Sequence, residues 1–533
     1  MTSKRRRLAA SILAAFVICL TVIAPVFAIG EQKARTRADR ALHDGDFENA
    51  EKMFRELLAK DAHDKEARLG LSFALLKQRH LQDAYDQAAR VILVEPLSAR
   101  AHALLGSAIL ASGNFRNSVE EFHTALSLQE NESLAIGGLA MVDFYENRLD
   151  AAIKGLRRAA SLDSDEPDYI FNLGQASARS EHYKDAADAY ERFLIIAPKT
   201  DAERRARIRG LIDFLRYLGN QGPLYAPTGG NKSNMSFDSF DGRPLLKVRV
   251  NGSREILRFV LDTGSGMSVI SEETAKKLGL RPVARGGLAR AVGGGGKFEI
   301  IYGFLSSLEL GEVKITNVPV YIRHFYDDRM PVDGYLGLAV ISKFIASVDY
   351  GERTFTLRPQ SNYDNNGQPR PDSTVAAGTV PSDIVEIPVR TTSSGFLSGE
   401  VKMEGIDKPL NFIIDTGASV SVVSEKLVAE EELTTYLAPV RMRVYGAAGI
   451  ADDVKTVLLP KVMLGGVMRE QITAAILDME PVNETAGFTQ NGILGGNFLG
   501  HYRVSFDFQR GLIRLEPLRK TAKTGDSPNL PEM

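Results

Sequence analysis

Two carboxylates in matching surroundings are the part of this chain best suited to chemistry. The runs Arg258-Phe-Val-Leu-Asp262-Thr-Gly-Ser265 and Asn411-Phe-Ile-Ile-Asp415-Thr-Gly-Ala418 each end in Asp-Thr-Gly, and the two aspartates lie 153 residues apart. One carboxylate in a glycine turn is ordinary. Two that face each other at about 3 Å cannot both ionise, so they hold one proton between them and bind a water. The ionised partner takes a proton from that water as it attacks a peptide carbonyl, while the protonated partner hydrogen-bonds to the carbonyl oxygen. Such a reaction needs neither a covalent intermediate nor a cofactor.

The flanking residues supply what such a pair requires. Apolar strands pin each loop, Gly264 and Gly417 permit a tight turn, and the Thr263 and Thr416 hydroxyls can bond across to the opposing loop. The similarity continues downstream. A second apolar strand follows each loop (Met267–Ile270; Val420–Val423), then a short helical pattern (Glu272–Leu278; Glu425–Glu430). Gly293 and Gly446 both fall 31 residues after their aspartate, in Gly-rich segments with strand-like flanks. Tyr335-Leu-Gly337 and Ile493-Leu-Gly495 come next, preceded by Asp333-Gly334 and Asn491-Gly492. Each block closes on a similar strand, Ala346-Ser-Val-Asp-Tyr350 and Tyr502-Arg-Val-Ser-Phe-Asp507. Short alternating strands such as Leu245–Val250, Val313–Val320 and Thr354–Leu357 place these words in two β-rich blocks, 237–358 and 384–519.

On these motifs the second half resembles the retropepsin-like aspartic proteases, and the resemblance covers roughly half of the chain. It implies two all-β acid-protease lobes, Asp262 and Asp415 as catalytic residues, and Thr263, Gly264, Ser265, Thr416, Gly417 and Ala418 as active-site loop supports. It also implies a glycine-bearing flap from each lobe, with Gly293, Gly294, Tyr445 and Gly446 as candidates, and a protein or peptide as substrate. Both copies lie in one chain, so an internal pseudo-dimer is expected, tethering giving an effective concentration of about millimolar. The competing arrangement pairs each block with its counterpart in another chain. Two departures stand out: Leu336-Gly-Leu-Ala339 against Leu494-Gly-Gly-Asn497, and Ser265 against Ala418. A serine hydroxyl donating to a carboxylate favours its charged form, which points to Asp262 as the ionised partner. Gly293–Gly296 with Lys297 is not a phosphate loop, because Ala291 and Phe298 occupy the glycine and hydroxyl positions.

The first half repeats at 34 residues. Ala50, Ala84, Ser118, Ala152 and Ala186 mark small positions, and Ala38, Ser72, Gly106, Ala140 and Gly174 mark the close approach of paired helices. Five uninterrupted units across 34–219, with a capping helix at 201–219, resemble the tetratricopeptide repeat. The expected fold is therefore multidomain, an all-α superhelix followed by the two β lobes. The resemblance implies a concave groove for a protein partner and no chemistry of its own. A catalytically inactive peptide-binding or scaffold protein built on the same folds is the alternative reading.

The bulk properties exclude more than they suggest. A chain of 533 residues needs several cores. Net charge is −2, with both signs interspersed, which gives no footprint for nucleic acid. The single cysteine, Cys19, rules out a disulfide in everything that follows it. Only His324 and His501 lie beyond residue 183, and no metal-ligand spacing occurs, so no metal site is expected. Lys4–Arg7 followed by the apolar stretch Leu8–Ile23 reads as an export signal or a retained membrane anchor over 1–29, Val26-Phe27-Ala28 being an acceptable cleavage site. The protein body is expected outside the cytoplasmic membrane, periplasmic or otherwise extracytoplasmic, with membrane contact through that segment only. Segments 220–236 and 359–383 read as linkers, and 520–533 as a disordered tail.

Overall fold

The computed structural model describes residues 32–199, 202–230, 232–329, 331–359 and 384–518. The leading segment 1–29, the 359–383 linker apart from its first residue, and the tail 520–533 lie outside the described residues. Among the described residues no helix is long and apolar enough to cross a membrane. The chain divides into two compact units. One runs to Leu139 and includes Arg158–Glu166 and Ile196–Ala202, and the other holds Ala140–Arg157, Pro167–Ile195 and everything from Glu203.

In the first unit helices alternate at the repeat spacing: Phe47–Lys60, Lys65–Lys77, Leu81–Val94, Ala99–Ser112 and Phe115–Leu128. Asp46, Asp64, Ser98 and Asn114 cap their helices by accepting from the backbone N–H three residues on. The marker positions Ala50, Ala84 and Ser118 are fully buried. Phe122 explains the small residues around it, because a Cβ on Gly106 or Gly138 would stand 2.9 or 2.2 Å from its ring.

The second unit carries the later repeat helices (Leu149–Leu162 in part, Pro167–Arg179, Tyr183–Ile196), the helix Ala202–Leu218 and both lobes. In the first lobe, Gly334–Leu336 lies parallel to Leu257–Leu261 and antiparallel to Ser268–Ser271, which runs parallel to Val313–Arg323. The second lobe repeats this with Gly492–Leu494, Ile406–Ile414, Ser421–Ser424 and Val467–Leu477. The lobes share a sheet. Phe344–Asp349 pairs antiparallel with Tyr502–Asp507, with Ser347 opposite Ser505 and their hydroxyls 2.6 Å apart.

Two features depart from the sequence reading. Segment 220–236 is not a plain linker: Ala226–Gly229 pairs with Val313–Thr316, and Ser233–Ser236 adds an edge to Thr354–Leu357. Its Pro, Gly and Asn content masked edge strands, which tolerate such residues. The helix Ala202–Leu218, expected as a cap, also forms a wall of the first lobe. Phe214 and Leu218 join that lobe's buried core, and the Phe214 ring stacks on Tyr302 at 4.3 Å.

Candidate active site

The two Asp-Thr-Gly loops meet at the floor of a cleft between the lobes, and the threonines lock them together. Thr263 Oγ1 donates to the Ile414 carbonyl at 2.7 Å, and Thr416 Oγ1 donates to the Leu261 carbonyl at 2.7 Å. Each hydroxyl also accepts from the opposite threonine's backbone N–H, at 3.0 Å from Thr416 N–H and 3.2 Å from Thr263 N–H. Both threonines are completely buried. Four reciprocal bonds in a dry environment fix the loops at little entropic cost per bond.

The late glycine segments hold each loop from behind. Asp262 N–H donates to the Leu336 carbonyl and Asp415 N–H to the Leu494 carbonyl, both at 3.0 Å. Leu338 N–H reaches the Ser265 carbonyl at 2.8 Å, and Gly496 N–H reaches the Ala418 carbonyl at 2.7 Å. The preceding Asp/Asn-Gly words fasten the incoming strands: the Asp333 carboxylate accepts from Arg258 N–H at 2.9 Å, and the Asn491 amide oxygen accepts from Asn411 N–H at 3.0 Å. The departure at Asn497 now has a physical account. Its amide accepts from Ser421 N–H and Oγ and donates to the Thr473 carbonyl, ties that Ala339 cannot make in the first lobe.

The carboxyls face each other within this frame. Gly264 N–H is shared between Asp262 Oδ1 at 3.0 Å and Asp415 Oδ1 at 3.2 Å, and Gly417 N–H donates to Asp415 Oδ1 at 2.7 Å. Burial raises the pKa of both, and the charge of Asp415 raises Asp262 further. Backbone N–H groups of Gly417, Gly264 and Ala418 partly offset the rise at Asp415. More backbone donors are aimed at Asp415 than at Asp262, an environment that favours the negative charge of the pair on Asp415. The expectation drawn from Ser265 loses its basis, because the Ser265 hydroxyl donates to the Met267 carbonyl at 3.1 Å rather than to a carboxylate.

This arrangement has a stability signature. A carboxyl whose folded pKa exceeds its unfolded value of about 4 contributes stability that is full below that value and is lost as pH rises through the folded pKa. Asp262→Asn cannot ionise, so its Tm should exceed the parent's at pH 8, with the gap narrowing toward pH 4. Thermal melts across that range check this, and a gap that widens on acidification refutes the assignment.

Over the cleft, the hairpins Ala284–Arg290/Lys297–Leu310 and Leu437–Gly446/Gly449–Leu464 touch tip to tip. A Cβ on Gly294 would come within 2.4 Å of the Gly449 carbonyl carbon, and one on Gly446 within 2.4 Å of the Val292 carbonyl oxygen. Gly293 and Gly294 have φ of 80° and 82°, a second reason for glycine at that tip. Tyr445 lies under the guanidinium of Arg329, 4.5 Å from its ring centroid, in a cation–π contact.

Three features escaped the sequence reading. Gly210, mid-helix where glycine costs about 1 kcal/mol, lets the helix meet the flap strand, since a Cβ there would lie 1.9 Å from the Arg285 carbonyl oxygen. Arg179 is enclosed by the carbonyls of Phe144, Thr391, Thr392 and Ser393, and burial lowers its pKa to about 9. Arg323 sits beside the cleft at the end of a strand; its alignment with Leu477 was the available signal.

Comparison with known proteins agrees with this architecture. A family model described as aspartyl protease matches residues 246–340 and 399–498, and tetratricopeptide-repeat models match 41–108 and 138–200. No curated protein matches. Similar solved structures include TTC0263, a thermophilic TPR protein of Thermus thermophilus, at 18% identity and TM-score 0.30, covering 35% of this chain and 99% of that one. MamA from residue 41 onward, of Desulfovibrio magneticus RS-1, matches at 20% identity and TM-score 0.23, covering 32% and 97%. YrrB, titled a TPR protein with an unusual peptide-binding site, matches at 19% identity and TM-score 0.21, covering 32% and 92%. The chain thus carries tetratricopeptide repeats followed by a retropepsin-like aspartyl-protease domain in two segments.

Proposed function

We propose that this repeat protein with two aspartyl-protease lobes is an exported aspartic endopeptidase. The observation that carries the reading is the shared Gly264 N–H, which holds the Asp262 and Asp415 carboxyls to one point of the cleft floor. Asp415 acts as the base toward a bound water, and Asp262 as the acid that hydrogen-bonds to the substrate carbonyl. Closed flaps exclude solvent and offer backbone groups to an extended peptide in the manner of an added strand. The repeats recruit the protein substrate or a partner. Export rests on the Lys4–Arg7 and Leu8–Ile23 pattern.

Incubating the full-length chain with a randomised peptide pool across pH 3–8 tests the proposal, with cleavage sites read by mass spectrometry. We expect internal cuts with a bell-shaped pH dependence, reporting the joint titration of the pair. Absence of cuts at every pH removes the endopeptidase and leaves a peptide-binding module.

A further inference from the structure

The strand Val313–Arg323 ends in a charge that its fold does not require. Arg323 stands opposite Ser271, and the same register in the second lobe sets Leu477 opposite Ser424. Leu477 is buried in an apolar cluster with Val422 and Met479, so hydrocarbon satisfies that position. Arg323 instead lays its guanidinium over Phe298, 5.2 Å from the ring centroid, at the start of the returning flap strand. Its Nε is buried without a hydrogen-bond partner, and no carboxylate pairs with it among the described residues. Asp262, Tyr335 and Tyr326 are the groups it interacts with electrostatically. Arginine stays charged even where burial opposes it. Nε alone is enclosed, while the residue as a whole keeps partial exposure, so the outer part of the guanidinium is open to a partner.

We propose that Arg323 is a specificity-determining residue that receives a substrate carboxylate beside the scissile bond. The guanidinium fork matches a carboxylate in two parallel hydrogen bonds, supplied by an internal Asp or Glu side chain or by a peptide C-terminus. The proposal rests on the endopeptidase reading for its chemistry, but binding can be measured apart from turnover.

Four peptide pools test it: matched sequences bearing Glu or Gln, each with a free or an amidated C-terminus. The full-length parent should cut the favoured pool roughly tenfold to hundredfold faster, the range expected for hydrogen bonds to a charged group. Faster cutting of Glu pools whatever the terminus identifies a side chain as the source, and faster cutting of free-terminus pools identifies the C-terminus. In Arg323→Met the ratio between pools should fall to about one. Equal slowing of all pools, with a displaced pH profile, would mean that Arg323 merely tunes Asp262 and would overturn the proposal. Retention of the same pools on immobilised full-length Asp415→Asn separates the two readings. Carboxylate-dependent retention without cleavage by the parent removes the endopeptidase and keeps Arg323 as the anion site. Cleavage by the parent without carboxylate preference, or retention of no pool, removes the Arg323 assignment.

Discussion

Asp262→Asn and Asp415→Asn should each, alone, lower kcat/KM for peptide cleavage by roughly 10³–10⁴-fold, the upper range for removing a positioned acid or base. The reciprocal threonine bonds make the two loops one object, so neither lobe holds a complete site. Asn at 262 keeps a hydrogen-bond donor but abolishes proton exchange with Asp415. Asn at 415 removes the group proposed as the base. Steady-state kinetics on the purified variants checks this. Substantial activity in either variant would mean that each lobe works with a counterpart from another chain. Recovery of activity on mixing two inactive variants would mean instead that the first lobe of one chain completes a site with the second lobe of another.

The second large effect is expected at a residue that does no chemistry. Gly264 and Gly417 do not have the left-handed φ of Gly293 and Gly294. What excludes a side chain is the opposing carboxyl: a Cβ on Gly264 would lie 2.4 Å from Asp415 Cγ, and one on Gly417 2.6 Å from Asp262 Oδ1. Overpacking of this kind costs about 1–3 kcal/mol where neighbours can yield. Here the threonine bonds on both sides resist, so the carboxyl must move. Gly264→Ala should therefore lose at least roughly 100-fold in kcat, since small misplacements at a reacting centre carry that penalty. Its far-UV circular dichroism should stay near that of the parent. Parent-like turnover in Gly264→Ala would show that the carboxyls have freedom that the close packing denies.

Much of this was legible because the chain carries it twice. The constant offset between Asp262, Gly293 and their partners Asp415, Gly446 exposed the lobes, and the 34-residue period exposed the repeats. What stayed hidden depends on contacts between elements distant in sequence. Nothing local marks Gly210 as facing Arg285, or Arg179 as filling a ring of carbonyls that draws on Thr391, Thr392 and Ser393, more than two hundred positions later. The Ser265 inference failed for a similar reason. A hydroxyl next to a motif has several acceptors within reach, and the nearby Met267 carbonyl won.

The hydroxyl pair of Ser347 and Ser505, paired opposite each other in the shared sheet, sits where a two-fold axis relating the lobes would pass. A cleft with true two-fold symmetry cannot tell the N-to-C direction of a peptide from its reverse. This cleft can. Arg323 in one lobe has Leu477 as its counterpart in the other, and Asn497 has Ala339. The hairpin of the first lobe is propped by a helix through Arg207 and Gly210. With both lobes in one chain, the two sides of the site are free to differ, and the pair acquires a polarity that a symmetric dimer lacks.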